Sequence, residues 1–174
     1  MSIIYIIMNN IDLINDRIYK FQKFENYLKR NREDIVFVCV GNSDVWYDSF
    51  GPIVGTILKN VFKLNVYIYG DINNNIKLKN LNNYIGFLNK KYFYKKIIVI
   101  DAALTDKDNN NLIFKEGKIK CAYFNNNSIP FGDYSILCPI KQEESDLFNY
   151  KKVIENAILC SNIIKNLLKC KNII

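Results

Sequence analysis

Two aspartates carry the first chemical signal in this chain of 174 residues. Asp48 follows the apolar run at residues 35–40 by a short loop, and Asp101 stands immediately after a second apolar run at 97–100. In open α/β sheets, ligands collect outside the carboxyl ends of the strands, near the point where the winding reverses. If the two runs are neighbouring strands, both side chains reach one crevice. Two carboxylates in a low-dielectric crevice cannot both ionise freely, so one pKa rises and the pair can hold a proton between them. Such a pair can activate a water and protonate a leaving group, or bind a divalent metal through oxygen. Structural roles suit both residues as well. Asp48 precedes Ser49 and a helix start, where it could act as a cap, and Asp101 could bond to turn amides. Asp44, Asp106 and Asp108 read as solvated loop residues. Trp46, the single tryptophan, could wall the crevice or pack beneath it.

The chain contains no histidine. That removes Ser-His-Asp and Cys-His nucleophile systems, histidine as a general base, and Cys/His zinc sites. Acid–base chemistry is left to carboxylates, Lys, Tyr, Cys or water. The five cysteines are odd in number and show no CxxC spacing. Cys39 and Cys138 fall in expected strands, where a thiol behaves as a small hydrophobe; Cys160 and Cys170 lie on or near the last helix. A disulfide framework is not expected. Neither GxGxxG nor GxxxxGK[ST] occurs, so nucleotide binding has no motif behind it.

The elements that must position the aspartates follow from periodicity. Residues 13–30 carry Ile14, Ile18, Phe21 and Leu28 at helical spacing. The run at 35–40 reads as a strand buried on both faces, as in a parallel sheet. A helix begins around Gly51-Pro52, where proline suits the first turn, and runs to about residue 60; Gly51 and Gly55 would let it approach the sheet closely. Residues 65–69 form a strand closed by Gly70-Asp71. A helix at 80–90 shows Leu81, Ile85 and Leu88 on one face. Residues 97–100 are a third strand, short strands are expected at 112–115 and 118–124, another at 134–139, and a long helix at 147–168 with Ile154, Ile158, Ile164 and Leu168 apolar. The Asn runs at 73–75, 109–111 and 125–127 read as loops. Strands alternating with helices predict one three-layer α/β/α domain over the whole chain, with a mostly parallel sheet mixed at one side.

Nearly half the residues are hydrophobic, which suits a packed core. No apolar run approaches the ~20 residues needed to cross a bilayer, and a cytosolic protein is expected. The net charge of +7 comes from scattered lysines in a chain rich in Asn, Ile and Tyr, a mix typical of an AT-rich genome. Only Lys90, Lys91, Lys95 and Lys96 form a dense basic stretch.

The segment Val38-Cys39-Val40-Gly41-Asn42-Ser43-Asp44, continued by Asp48-Ser49-Phe50-Gly51-Pro52-Ile53-Val54-Gly55-Thr56, resembles the first signature of the YyaC-type sporulation proteins. These are spore-protease-like relatives of the germination protease of endospore formers. Weaker pieces follow in the right order: Val66-Tyr67-Ile68-Tyr69-Gly70, Ile98-Val99-Ile100-Asp101-Ala102-Ala103-Leu104, and Ile129-Pro130-Phe131-Gly132-Asp133-Tyr134-Ser135-Ile136. The resemblance implies the phosphorylase/hydrolase-like fold shared with the germination and hydrogenase maturation proteases. It implies a catalytic aspartate pair at Asp48 and Asp101; beside such a pair Asn42 could hold the loop or donate to the developing oxyanion, and Asp133 could hold a neighbouring loop. It further implies protein or peptide substrates, among them the small acid-soluble spore proteins, and a mother-cell or forespore cytoplasm. In the maturation proteases the same two positions bind nickel together with a histidine. No cofactor is expected here, because this chain has no histidine. It also carries Tyr123-Phe124-Asn125-Asn126-Asn127 where the family pattern has Pro-Gly-x-Gly-Val. The alternatives are a non-enzymatic binding or assembly protein of sporulation and a metal-dependent hydrolase at the same acids.

Overall fold

The computed structural model describes residues 3–105, 111–121, 129–141 and 146–169. In chain order the elements are α1 (Ile3–Arg30), β1 (Ile35–Cys39), α2 (Phe50–Thr56), β2 (Tyr67–Tyr69), α3 (Leu78–Lys91), β3 (Lys96–Thr105), β4 (Ile113–Glu116), β5 (Tyr134–Lys141) and α4 (Asp146–Lys169). The strands form one sheet in the order β2-β1-β3-β5-β4. All neighbours are parallel except β4, which runs antiparallel to β5. From β1 the chain steps to β2 on one side and then to β3 on the other, so the winding reverses between β1 and β3. This is the expected three-layer, mostly parallel fold.

Alternation along each strand divides the core. Ile35, Phe37 and Cys39 of β1, with Ile98 and Ile100 of β3, pack against Phe24 and Leu28 of α1, Phe50 and Val54 of α2, and Val153, Ala157, Cys160 and Ile164 of α4. Val36 and Val38, with Ile97 and Val99, face Leu81, Ile85 and Leu88 of α3 together with Ile119, Cys121 and Phe131. The last three belong to a strip that continues the β4–β5 register through reciprocal Ile119–Phe131 backbone bonds of 3.0 and 3.1 Å. This strip forms only an isolated bridge, where the sequence suggests a strand over 118–124; residues 122–128 lie outside the described residues.

Two helix faces differ from expectation. On α1, Ile14 and Ile18 are half exposed, and burial begins at Phe24. There Phe21 and Phe24 set their rings 5.3 and 5.0 Å from Phe114 of β4, and Phe24 and Tyr27 lie 5.2 Å from Tyr134 of β5. On α4, Ile158 is exposed, while Val153, Ala157 and Cys160 are buried. Both helices have apolar residues on more than one side, and the docking partner, not the periodicity, selects the buried stripe.

The helix α2 lies hard against the sheet. A Cβ on Gly51 would fall on the Val40 carbonyl oxygen and 2.8 Å from that of Ile100; one on Gly55 would fall on the Gly70 carbonyl. The helix ends in a π-turn, Ile57–Val61, whose Lys59 pairs with the buried Asp71 at 2.7 Å. By contrast Gly86, inside α3, has open space around it. Gly86→Ala is therefore expected to stabilise the protein by about 1 kcal/mol through helix propensity alone; an unchanged urea midpoint would contradict this. Among the described residues no helix is long and apolar enough to cross a membrane.

Candidate active site

Asp48 closes a 3₁₀ turn, Trp46–Asp48, in the loop between β1 and α2. That loop is fixed by its own backbone. The Asn42 N–H donates to the Asp48 carbonyl at 2.9 Å, and the Asp48 N–H donates to the Val45 carbonyl at 2.9 Å. The Asn42 side-chain oxygen accepts the Asp44 N–H at 3.2 Å, so Asn42 serves as a loop clasp. Gly41 has φ +139, and a Cβ there would meet the Asp48 carbonyl. Outer ties join this loop to the one after β2: Ser43 N–H to Asn75 Oδ1 at 3.0 Å and Lys77 to Asp44 at 3.0 Å. The residue at the N-cap of α2 is Ser49, whose hydroxyl donates to the Trp46 carbonyl at 2.8 Å and makes no side-chain cap bond. Trp46 packs against the core, 5.4 Å from the ring of Tyr47, and Tyr47 lines the cleft in its place.

Asp101 does not end its strand, as the sequence suggests. It sits within β3, which continues to Thr105 because β5 keeps pairing with it, from Asp101↔Leu137 to Thr105↔Lys141. The neighbour on the other side stops sooner: β1 pairs with β3 only to Cys39↔Ile100, and the Val40 N–H makes a last bond to the Ile100 carbonyl. Asp101 is thus the first residue of β3 beyond the end of β1, at the switch point.

A cleft of about 710 Å³ opens there, lined by Asp48, Asp101, Tyr47, Leu78, Cys121 and the lysines 115, 118 and 120, among others. The acids interact across it. Burial, reinforced by the Asp48 charge, pushes Asp101 up to about 7; the neighbouring Cys121 thiol and the Ala102 N–H oppose that rise. Asp48 is pushed up to about 6, again by burial, against the Asn42 N–H and the charge of Lys77. Cys121, only 6% exposed, faces both acids and is driven strongly upward by burial and then by Asp101, so it keeps its proton. This third polar member was not singled out from sequence. Its signal is faint: a cysteine two residues beyond Ile119, in an expected strand, reads as one more apolar position.

Asp133 lies at the other end of the sheet. Its carboxylate accepts the Ile97 N–H at 2.8 Å, and its own N–H donates to the Ile97 carbonyl at 2.8 Å, tying the starts of β3 and β5 together. Four residues of strand, about 13 Å, separate Ile97 from Asp101. The residues at 123–127 lie outside the described residues.

The donors do not fit a nickel centre. The chain has no imidazole to serve as the histidine ligand of such a site. Among the described residues no three Cys, Asp or Glu side chains converge as metal ligands.

A sequence model described as "Protein of unknown function (DUF1256)" matches residues 8–167. A stretch of 70 residues is 31% identical to the uncharacterized protein YyaC of Bacillus subtilis (strain 168), covering 40% of this chain and 34% of that protein. The match therefore spans about a third of that relative's length. The fold is similar to the crystal structure of the [NiFe] hydrogenase maturation protease HycI from Thermococcus kodakarensis KOD1, with a TM-score of 0.50 and 18% identity over 80% of this chain and 99% of that one.

Proposed function

The chain belongs to the DUF1256 family, and on its protease-like fold we propose a peptidase-like hydrolase in which Asp48 and Asp101 share the acid–base work on a protein substrate. The observation that carries this reading is the pair itself: two carboxylates from different elements, in one cleft at the switch point, both drawn above the ordinary carboxylate range. Between about pH 6 and 7 the pair holds close to one proton. The more deeply buried Asp101 keeps it, and Asp48 is ionised. Asp48 takes a proton from a water as its oxygen attacks the peptide carbonyl carbon, and Asp101 gives its proton to the carbonyl oxygen. On collapse the C–N bond breaks, the amine receives the proton from Asp48, and the hydroxyl proton returns to Asp101. Groups positioned in this way supply roughly 10²–10⁴-fold each.

Lys115, Lys118 and Lys120 on the cleft wall suit an acidic stretch of substrate, since a cluster of one sign of charge attracts the opposite sign. Small acid-soluble spore proteins, met in the cytoplasm of a sporulating cell, are the first substrates to try. The test incubates the purified chain with these proteins, beside Asp48→Asn and Asp101→Asn. Fragments are expected from the wild type alone, with a rate maximum between about pH 6 and 7 and no loss on adding a chelator. Cleavage that persists in both variants removes the pair from the mechanism. Loss of cleavage on chelation turns the reading to a metal-dependent hydrolase. No cleavage at all, with sporulation intact in Asp48→Ala, turns it to a binding module.

A further inference from the structure

The buried thiol in the cleft has no part in the chemistry above, and it cannot act as the nucleophile there. A thiolate is the reactive form, and Cys121 is held protonated by its surroundings. What it offers is a fixed donor. Its place is set by backbone: the Ile119–Phe131 bridge continues the antiparallel register of β4 and β5, and Cys121, two residues on, falls among Val99, Ile119 and Phe131 on the α3 face. By strand alternation Asp101 shares that face with Val99. The thiol is thus presented to the carboxylate by packing, not by a flexible chain.

We propose that Cys121 is a positioning residue of the acidic pair: its S–H donates to the Asp101 carboxylate, holds one oxygen in place, and leaves the other to carry the working proton. The inference rests on the hydrolase reading for its catalytic meaning, but the contact can be measured without any substrate. The charged and titratable groups lining the cleft around Asp101 are Tyr47 and Asp48 from the β1–α2 loop, Lys115 from β4, and Lys118 and Lys120 just before Cys121; Lys77 acts on Asp48 from before α3. None of these is altered by the substitutions below.

The experiment uses the full chain labelled with ¹³C at aspartate carboxyls, with Asp101 assigned through Asp101→Asn, and follows its titration in wild type, Cys121→Ala and Cys121→Ser. Removing a donor to a buried carboxylate should raise the Asp101 midpoint by about one pH unit in Cys121→Ala. Cys121→Ser, which keeps a donor, should titrate at or below the wild-type value. Where cleavage is measurable, Cys121→Ala should lower kcat by about tenfold with KM unchanged, and its alkaline limb should move upward; Cys121→Ser should stay active. Thermal unfolding of both variants checks that the fold is kept. An Asp101 midpoint that does not differ between Cys121→Ala and wild type overturns the proposal. So does stoichiometric inactivation of the wild type by iodoacetamide joined to an inactive Cys121→Ser, because the thiol would then be the nucleophile. A shifted midpoint with no cleavage by any form leaves the contact standing and removes the peptidase reading alone.

Discussion

Asp101→Asn should raise the unfolding free energy at pH 8 by about 2–4 kcal/mol while lowering any cleavage by roughly 10²–10⁴-fold. The stability part follows from linkage. The carboxyl has an ordinary value of 3.8 and is pushed up to about 7 in the fold, chiefly by burial. At pH 3 both states are protonated and the residue contributes its full share. Between about pH 4 and 7 the unfolded chain gives up the proton and the folded chain keeps it. The unfolded state then binds fewer protons, so stability falls as pH rises, and it levels off above about 7. Three units correspond to about 4 kcal/mol as an upper figure. Asparagine has nearly the same shape and no charge to bury, and its carbonyl still accepts from Cys121 and Ala102. The gain should therefore shrink toward zero near pH 4. Urea unfolding at the two pH values measures it directly; an equal gain at both would mean that ionisation has no part in it. A protein that gains stability by losing an acid has been keeping that acid for another purpose.

Gly51→Ala is expected to destabilise by about 3 kcal/mol or more, or to prevent folding. The added methyl would land on the Val40 carbonyl and press on that of Ile100. Both belong to the backbone at the switch point, where β1 and β3 are bonded to each other, so neither can yield without breaking the ladder. The helix would have to retreat instead and would carry the Asp48 loop with it. The contrast with Gly86→Ala, the same change in a helix with free space around it, separates crowding from propensity. A Gly51→Ala protein whose urea midpoint matches the wild type would show that α2 does not need this close approach.

How much of this was legible in the sequence depends on what fixes each residue. The buried strand at 35–40, the glycines of α2 and the Leu81–Ile85–Leu88 face are local patterns, and the structure keeps them. Asp48 and Asp101 could be placed on one cleft because sheet topology is a rule about neighbours. The end of β3 was misjudged because it is set by β5, a partner that pairs on past Asp101 and cannot be seen from residues 97–105 alone. Cys121 is hidden for a similar reason: its place beside the acids follows from tertiary packing on the α3 face, and in the sequence it resembles any buried thiol. Asp133 lies in the same signature-like series as the site residues, yet its hydrogen bonds go to Ile97, at the far end of the strand.

The aromatic seam of α1 has a consequence for the order of events during synthesis. Phe21, Phe24 and Tyr27 emerge from the ribosome early, but the rings they rest on, Phe114 and Tyr134, follow some ninety to a hundred and ten residues later. At ~5–20 residues per second, the aromatic stripe of the helix waits roughly 5–20 seconds for these rings. A chain halted before residue 113 would hold the complete Asp48 loop and the whole of β3, yet neither ring on which the aromatic seam of its first helix rests. Such fragments should be the ones that chaperones retain.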